Sequence, residues 1–224
     1  MLRDGAFQLG IDLDDACLDR FALLAGELRR WNAKVNLTAL KSIRDIVTRH
    51  FIDSLTIATL LPHGAHLLDI GSGGGFPCIP LKIARPDLEI VSVDGVQKKI
   101  LFQRHVARLL GFDHFSAVHG RAESLAQAMD RQFSVVVARA VADVETLLRL
   151  GLPLLADNGI MIAMKGRQGR EEIELARETI SALGVVVKDV HELRLPVSGD
   201  ERTLIILGRE VGMATIAAEN TKIA

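Results

Sequence analysis

Between positions 13 and 31 the apolar residues Leu13, Ala16, Phe21, Leu24, Leu28 and Trp31 fall three to five apart, with polar residues between them. That spacing draws one stripe down a 3.6-residue helix and predicts an amphipathic helix. A second helix is predicted over residues 42–60. The intervening WNAKVNLT (31–38) breaks the period and is rich in capping and turn residues. The first 62 residues therefore read as a helical extension, closed by Pro62 and the His63-Gly64 turn. After residue 63 the pattern changes to short apolar runs: HLLDI (66–70), EIVSVD (89–94), HFSAVH (114–119), FSVVVA (133–138), GIMIAM (159–164), VVVKDVH (185–191) and TLIILG (203–208). Helical stretches at 77–84, 96–110, 121–129, 143–155 and 169–183 separate the first six. Seven strands alternating with helices predict an α/β, Rossmann-like, doubly wound and mostly parallel sheet over 63–209. The link between the last two runs has no room for a crossover helix, so the last strand is expected antiparallel. Residues 210–224 are expected to be a disordered tail.

Composition changes this picture little: 224 residues, 49% apolar and 25% charged, suffice for one full domain with some length to spare. Charge adds more. The total of −1 excludes a polybasic nucleic-acid binder, yet residues 21–50 and 95–110 each sum to +4, offset by −3 over 1–20 and −3 over 51–94. Arg29, Arg30, Lys34, Lys98, Lys99, Arg104 and Arg108 are the candidate phosphate contacts, with solvated helix faces as the plainer reading. Cys17 and Cys78 stand 61 positions apart with no ligand or disulfide spacing, and His63-x-x-His66 lacks further ligands, so no metal is expected. There is no apolar leader and no run of 18 apolar residues, so a soluble cytoplasmic protein, off the membrane and by default a monomer, is expected.

The first β-run leads into Gly71-Ser72-Gly73-Gly74-Gly75-Phe76-Pro77. Glycines there let the backbone turn tightly and approach a ligand closely, next to the N–H groups of a helix start. As a dinucleotide fingerprint the loop fails, because Phe76 stands where a small residue is needed. An acid two residues before Gly-x-Gly-x-Gly, here Asp69 with Gly71, Gly73 and Gly75, resembles motif I of the class I S-adenosylmethionine-dependent methyltransferases. Asp94, ending the second run, suits the two ribose hydroxyls of either cofactor; the plainer readings are a loop brace for Asp69 and a strand-end cap for Asp94.

Further blocks occur in a family-specific order. They are Trp31-Asn32 with Asn36-Leu37-Thr38, His50-Phe51-Ile52-Asp53-Ser54-Leu55, Leu68 through Pro77, Lys98-Lys99, Arg121-Ala122-Glu123, Ala138-Arg139-Ala140, Lys165-Gly166 and Glu201-Arg202. In that order the chain resembles the bacterial small-subunit ribosomal RNA methyltransferase G (glucose-inhibited division protein B) family from about residue 20 to 208. The resemblance implies S-adenosylmethionine as cofactor, contacted by Gly71, Phe76, Ala122, Glu123 and Arg139. It also implies methylation of guanine N7 in 16S ribosomal RNA, free or within the small-subunit particle. Cys78 and Gly95 depart from the family's usual glycine and serine.

A ring nitrogen with an in-plane lone pair needs no general base, so orientation is the main device. Carbon-5 methylation needs a cysteine nucleophile near later strands, and the exocyclic-amine box is replaced here by Ala138-Arg139-Ala140-Val141. Arg139 is the candidate for orienting the cofactor carboxylate or guanine O6, with bracing of loop carbonyls as its plainer reading. Lys165 is a further candidate catalytic residue and phosphate contact, with an ordinary surface lysine as its plainer reading. Asn32, Asn36, His50 and Asp53 read as caps and docking groups rather than as a wall of the site, and Trp31 as a packing aromatic. The alternatives are a nicotinamide-dependent oxidoreductase and a non-catalytic RNA-binding module on the same fold.

Overall fold

The computed structural model describes residues 1–126, 128–139 and 143–210. Its strands are β1 His66–Ile70, β2 Glu89–Asp94, β3 Phe115–His119, β4 Phe133–Arg139, β5 Leu155–Lys165, β6 Val185–Arg194 and β7 Glu201–Arg209. They form one sheet in the order β3-β2-β1-β4-β5-β7-β6. Pairs among β1 to β5 are parallel, while β7 runs antiparallel to both neighbours. The hairpin read from the short 195–200 link is therefore present, and β7 slots between β5 and β6. Val135, Val136 and Val137 of β4 are all fully buried, the unbroken apolar run of a strand covered on both faces.

The helices are α1 Leu2–Gln8, α2 Asp15–Val35, α3 Ile43–Asp45, a π-helical stretch Ile46–Ile52, α4 Asp53–Leu55, α5 Cys78–Ala84, α6 Gln97–Leu109, α7 Ala122–Ala126, α8 Val144–Gly151, α9 Gly169–Leu175 and α10 Arg177–Ala182. Asp14 caps α2 by accepting from the Cys17 amide at 2.7 Å, and Asn36 ends it in a left-handed conformation, φ 48°. One face of the sheet packs Leu67, Val135 and Val137 with Phe21, Leu24, Leu28, Phe51 and Phe102, so the extension shares its core. The other packs Leu68, Val136 and Met161 with Leu147 and Leu148 of α8.

Four details differ from the periodicity. The helix expected over 42–60 is a short α turn, the π-helical stretch and a second α turn. The helix expected over 143–155 stops at Gly151, because Pro153 has no N–H to continue it, and β5 starts at Leu155. The 169–183 stretch is broken at Ala176, where ψ is 1°. The short α1, which the spacing does not predict, packs Gly5 against the Ile52 side chain, leaving no room for a Cβ. The tail beyond residue 210 and the Ala140-Val141 positions lie outside the described residues.

Candidate active site

The glycine loop is held from below. Gly71 and Ser72 donate to the Val93 carbonyl at 2.8 and 3.1 Å, tying the loop to the end of β2. Gln103, fully buried on α6, donates through Nε2 to Ser72 Oγ and to the Gly73 carbonyl, both at 2.8 Å, and accepts from Ser92 Oγ at 2.6 Å. Gly73 (φ 58°) has open space where a side chain would start, apart from the Gly71 carbonyl at 4.0 Å, so its bare backbone faces the cleft. Gly75 (φ 87°) instead sits against Ile79, where any Cβ would overlap it. Asp69 lies fully buried beneath the loop, its Oδ2 accepting from the Cys78 amide at 3.2 Å while Oδ1 has no partner among the described residues. Burial pushes its carboxyl up to about 7.

The loop opens on a cleft of about 820 Å³, within the ~300–1,000 Å³ of small-molecule sites. Gly71, Gly73, Phe76, Asp94, Arg139 and Lys165 line it, together with Leu37, Thr38, Arg49, His50, Asp53 and Arg202. Arg139, the last residue of β4, donates Nη1 to the Arg49 carbonyl (3.0 Å) and to Asp53 Oδ2 (3.3 Å), and Nη2 to His50 Nδ1 (3.0 Å). Its guanidinium also lies 5.4 Å from the Phe76 ring centroid. Arg202 on β7 forks onto Asp53 at 2.9 and 3.3 Å. The His50 ring stacks on Phe76 with centroids 4.1 Å apart and planes within 5°. Burial, and then the Arg139 charge, drive the His50 imidazole down to about 3, so it is neutral in ordinary buffers.

A second hollow of about 250 Å³ shares Gly71, Asp94 and Gly95 with the cleft and is lined by Ala122 and Glu123. Asp94 stands at the junction, accepting from the Gly73 amide (2.9 Å) and the Val96 amide (2.8 Å), with Lys99 at 3.8 Å.

Several expectations need correction. Asp69 and Gly75 line neither hollow; they shape the loop from beneath, which is the bracing reading of Asp69. His50 and Asp53, expected to be structural, are walls of the cleft, because the π-helical stretch and α4 carry them onto the ends of β4 and β7. Arg202 joins the site without having been a candidate; the Glu201-Arg202 block was its sequence signal. Gln103 is a further addition, and an amide side chain among the apolar positions of α6 was its signal. Lys165 is no ordinary surface lysine: it is buried and paired with Glu172 at 2.7 Å. Arg139 braces no loop: it donates to the Arg49 carbonyl of the π-helical stretch while it lines the cleft. Asn32 accepts from the Thr38 amide at 2.9 Å, the capping role expected of it. Trp31 packs edge-on against Phe102 at 5.7 Å. Arg29, Arg30, Lys34, Lys98, Arg104 and Arg108 are exposed. Among the described residues no group of three or more His, Cys, Asp or Glu side chains could hold a metal ion, and no helix is long and apolar enough to cross a membrane.

A parallel sheet with an antiparallel β7, a glycine loop after β1 and an acid ending β2 define a class I, Rossmann-like methyltransferase that uses S-adenosylmethionine. A half-buried, side-chain-free backbone at Gly73 and a carboxylate bridging two adjoining hollows fit that cofactor. The family model described as rRNA small subunit methyltransferase G matches residues 18–204, and the chain belongs to that family. Ribosomal RNA small subunit methyltransferase G of Geobacter metallireducens is 50% identical over 210 residues, covering 94% of this chain and 96% of its own. The protein of that name from Geotalea uraniireducens is 50% identical over 207 residues, covering 92% and 94%. Among solved structures, M. jannaschii TYW2 in complex with AdoMet shares the fold with a TM-score of 0.57 at 12% identity, over 70% of this chain and 74% of that one. Membership of this family displaces the oxidoreductase and non-catalytic readings.

Proposed function

We propose that the chain methylates N7 of a guanine in 16S ribosomal RNA, as RNA or within the small-subunit particle. The observation that carries this reading is that, Asp94 on the ribose side apart, every acceptor among the described residues of the cleft that could serve as a general base is already engaged. Asp53 is held by Arg139 and Arg202, Glu172 by Lys165 and His50 Nδ1 by Arg139. Burial and the neighbouring Asp69 keep the Cys78 thiol well above its ordinary range, below the loop. A site whose described acceptors are held in this way suits a substrate atom that carries no proton, such as guanine N7. Bound S-adenosylmethionine would supply an electrophilic methyl on a sulfonium, which a ring-nitrogen lone pair can accept without a proton having to move. The chain's part is to hold and orient. Gly71, Gly73 and Phe76 would border the cofactor's amino-acid end, Asp94 its ribose hydroxyls, and Ala122 and Glu123 the hollow beyond.

The two basic segments lie on helices that touch. Trp31 meets Phe102 and His105, and Glu27 meets His105 at 2.9 Å, so α2 and α6 pack antiparallel. Arg30 and Lys34 of α2 and Lys98 of α6 are exposed, whereas Arg29 lines a hollow with Asn32 and Lys41 and Arg104 turns to β3, donating to the Ala117 carbonyl at 2.8 Å. Phosphates of the RNA would lie along these helices. Incubation with labelled S-adenosylmethionine and small-subunit RNA or particles, followed by mapping of the modified base, is expected to place the label on one guanine as N7-methylguanosine. Label on an exocyclic amine or a carbon would refute the proposal.

A further inference from the structure

We infer that the Thr38 hydroxyl is the hydrogen-bond donor this chain presents to O6 of the target guanine, aimed by the Arg139–His50 pair; this rests on the N7 reading above. A guanidinium only donates, so the 3.0 Å contact from Arg139 Nη2 requires His50 Nδ1 to be the unprotonated nitrogen. The proton of the neutral ring then sits on Nε2, which is 2.8 Å from Thr38 Oγ1 and donates to it. The Leu40 amide donates to the same oxygen at 3.1 Å. With both lone pairs of the hydroxyl filled, its own hydrogen is left to donate. No acceptor takes that hydrogen among the described residues, and Thr38 lines the large cleft but not the second hollow.

The chemistry of the base selects the same group. On the major-groove edge of guanine, O6 and N7 are adjacent acceptors. An arginine fork would cover both and silence the nucleophile, whereas a hydroxyl has one hydrogen and can hold O6 while N7 stays open. Adenine offers a donor at the equivalent position, so the same hydroxyl would disfavour it. Thr38 itself is anchored, since its amide donates to Asn32 Oδ1 at 2.9 Å, and the chain Arg139 to His50 to Thr38 turns an arginine on β4 into a directed donor on the loop after α2.

The test compares wild type, Thr38→Val and Thr38→Ser on small-subunit RNA carrying either guanine or 2-aminopurine, which keeps N7 but has no O6, at the mapped nucleotide. On guanine RNA, Thr38→Val is expected to lower kcat/KM by about tenfold, the worth of one neutral hydrogen bond, and Thr38→Ser to restore most of it. On 2-aminopurine RNA the gap between wild type and Thr38→Val should close. Calorimetric affinity for S-adenosylmethionine should be unchanged in both variants. An equal loss on both RNAs, no loss on guanine RNA, or weakened S-adenosylmethionine binding would overturn the inference. Wild type that methylates neither RNA at N7 would instead sink the underlying reading.

Discussion

Arg139 can offer five N–H donors, and three contacts to Arg49, Asp53 and His50 show it spending much of that capacity on the helical extension. A position at the carboxyl end of a strand marks a residue as near the ligand, and that much was legible. Its partners were not, because they lie 86 to 90 positions away in sequence. Asp53 shows the opposite case: a carboxylate in an apolar helical stretch reads as a cap until two arginines from different strands meet it. His50 carries a prediction of its own. The unfolded chain binds a proton at this histidine below pH ~6.5, while the folded chain refuses it down to about 3. Its contribution to stability is therefore full above pH ~6.5 and lost as pH falls towards 3. Urea denaturation at stepped pH is expected to show this loss in wild type and a shallower slope in His50→Gln; parallel slopes would contradict the assignment.

The spacing from Ile43 to Leu55 is that of one amphipathic helix, and the apolar positions Ile46, Phe51, Ile52 and Leu55 are indeed buried. Hydrophobic spacing, however, does not distinguish a helix with i→i+4 bonds from one widened to i→i+5, and widened turns often occur at functional sites. Here that stretch delivers the Arg49 carbonyl and the His50 ring to Arg139. Helices α2 and α6 pose a different problem. Each +4 segment alone reads as an ordinary solvated face, and their adjacency depends on packing of Trp31 against Phe102. Replacing Arg29 and Lys34 together by Glu should raise KM for the RNA substrate and flatten the salt dependence of binding by about 0.7 for each phosphate no longer neutralised. Affinity for S-adenosylmethionine, measured by calorimetry, should stay at the wild-type value. A parallel drop in cofactor affinity would mean the surface serves the fold instead.

At the scale of the whole molecule, the extension and the sheet share one apolar cluster in which Phe21 and Phe51 sit beside Leu67 and Val135. We propose that they unfold as one unit. The chain has one tryptophan, Trp31 on α2, so its fluorescence reports on the extension while far-ultraviolet circular dichroism reports on the whole chain. The two are expected to trace coincident transitions, and Phe51→Ala should shift both together by about 3–5 kcal/mol; separated transitions would make the extension an independent domain. The sequence by itself determined the seven-stranded sheet, its antiparallel ending and the glycine loop, because short apolar runs, link length and glycine backbone freedom are local properties. It also determined the family, through blocks whose order survives without knowing where they meet. Only the tertiary structure decided which polar residues share the cleft, that Asp69 and Gly75 lie beneath it, and that Thr38 is left with a hydrogen to donate. Those outcomes depend on burial and on who pairs with whom across the fold, and neither quantity exists until distant segments are packed together.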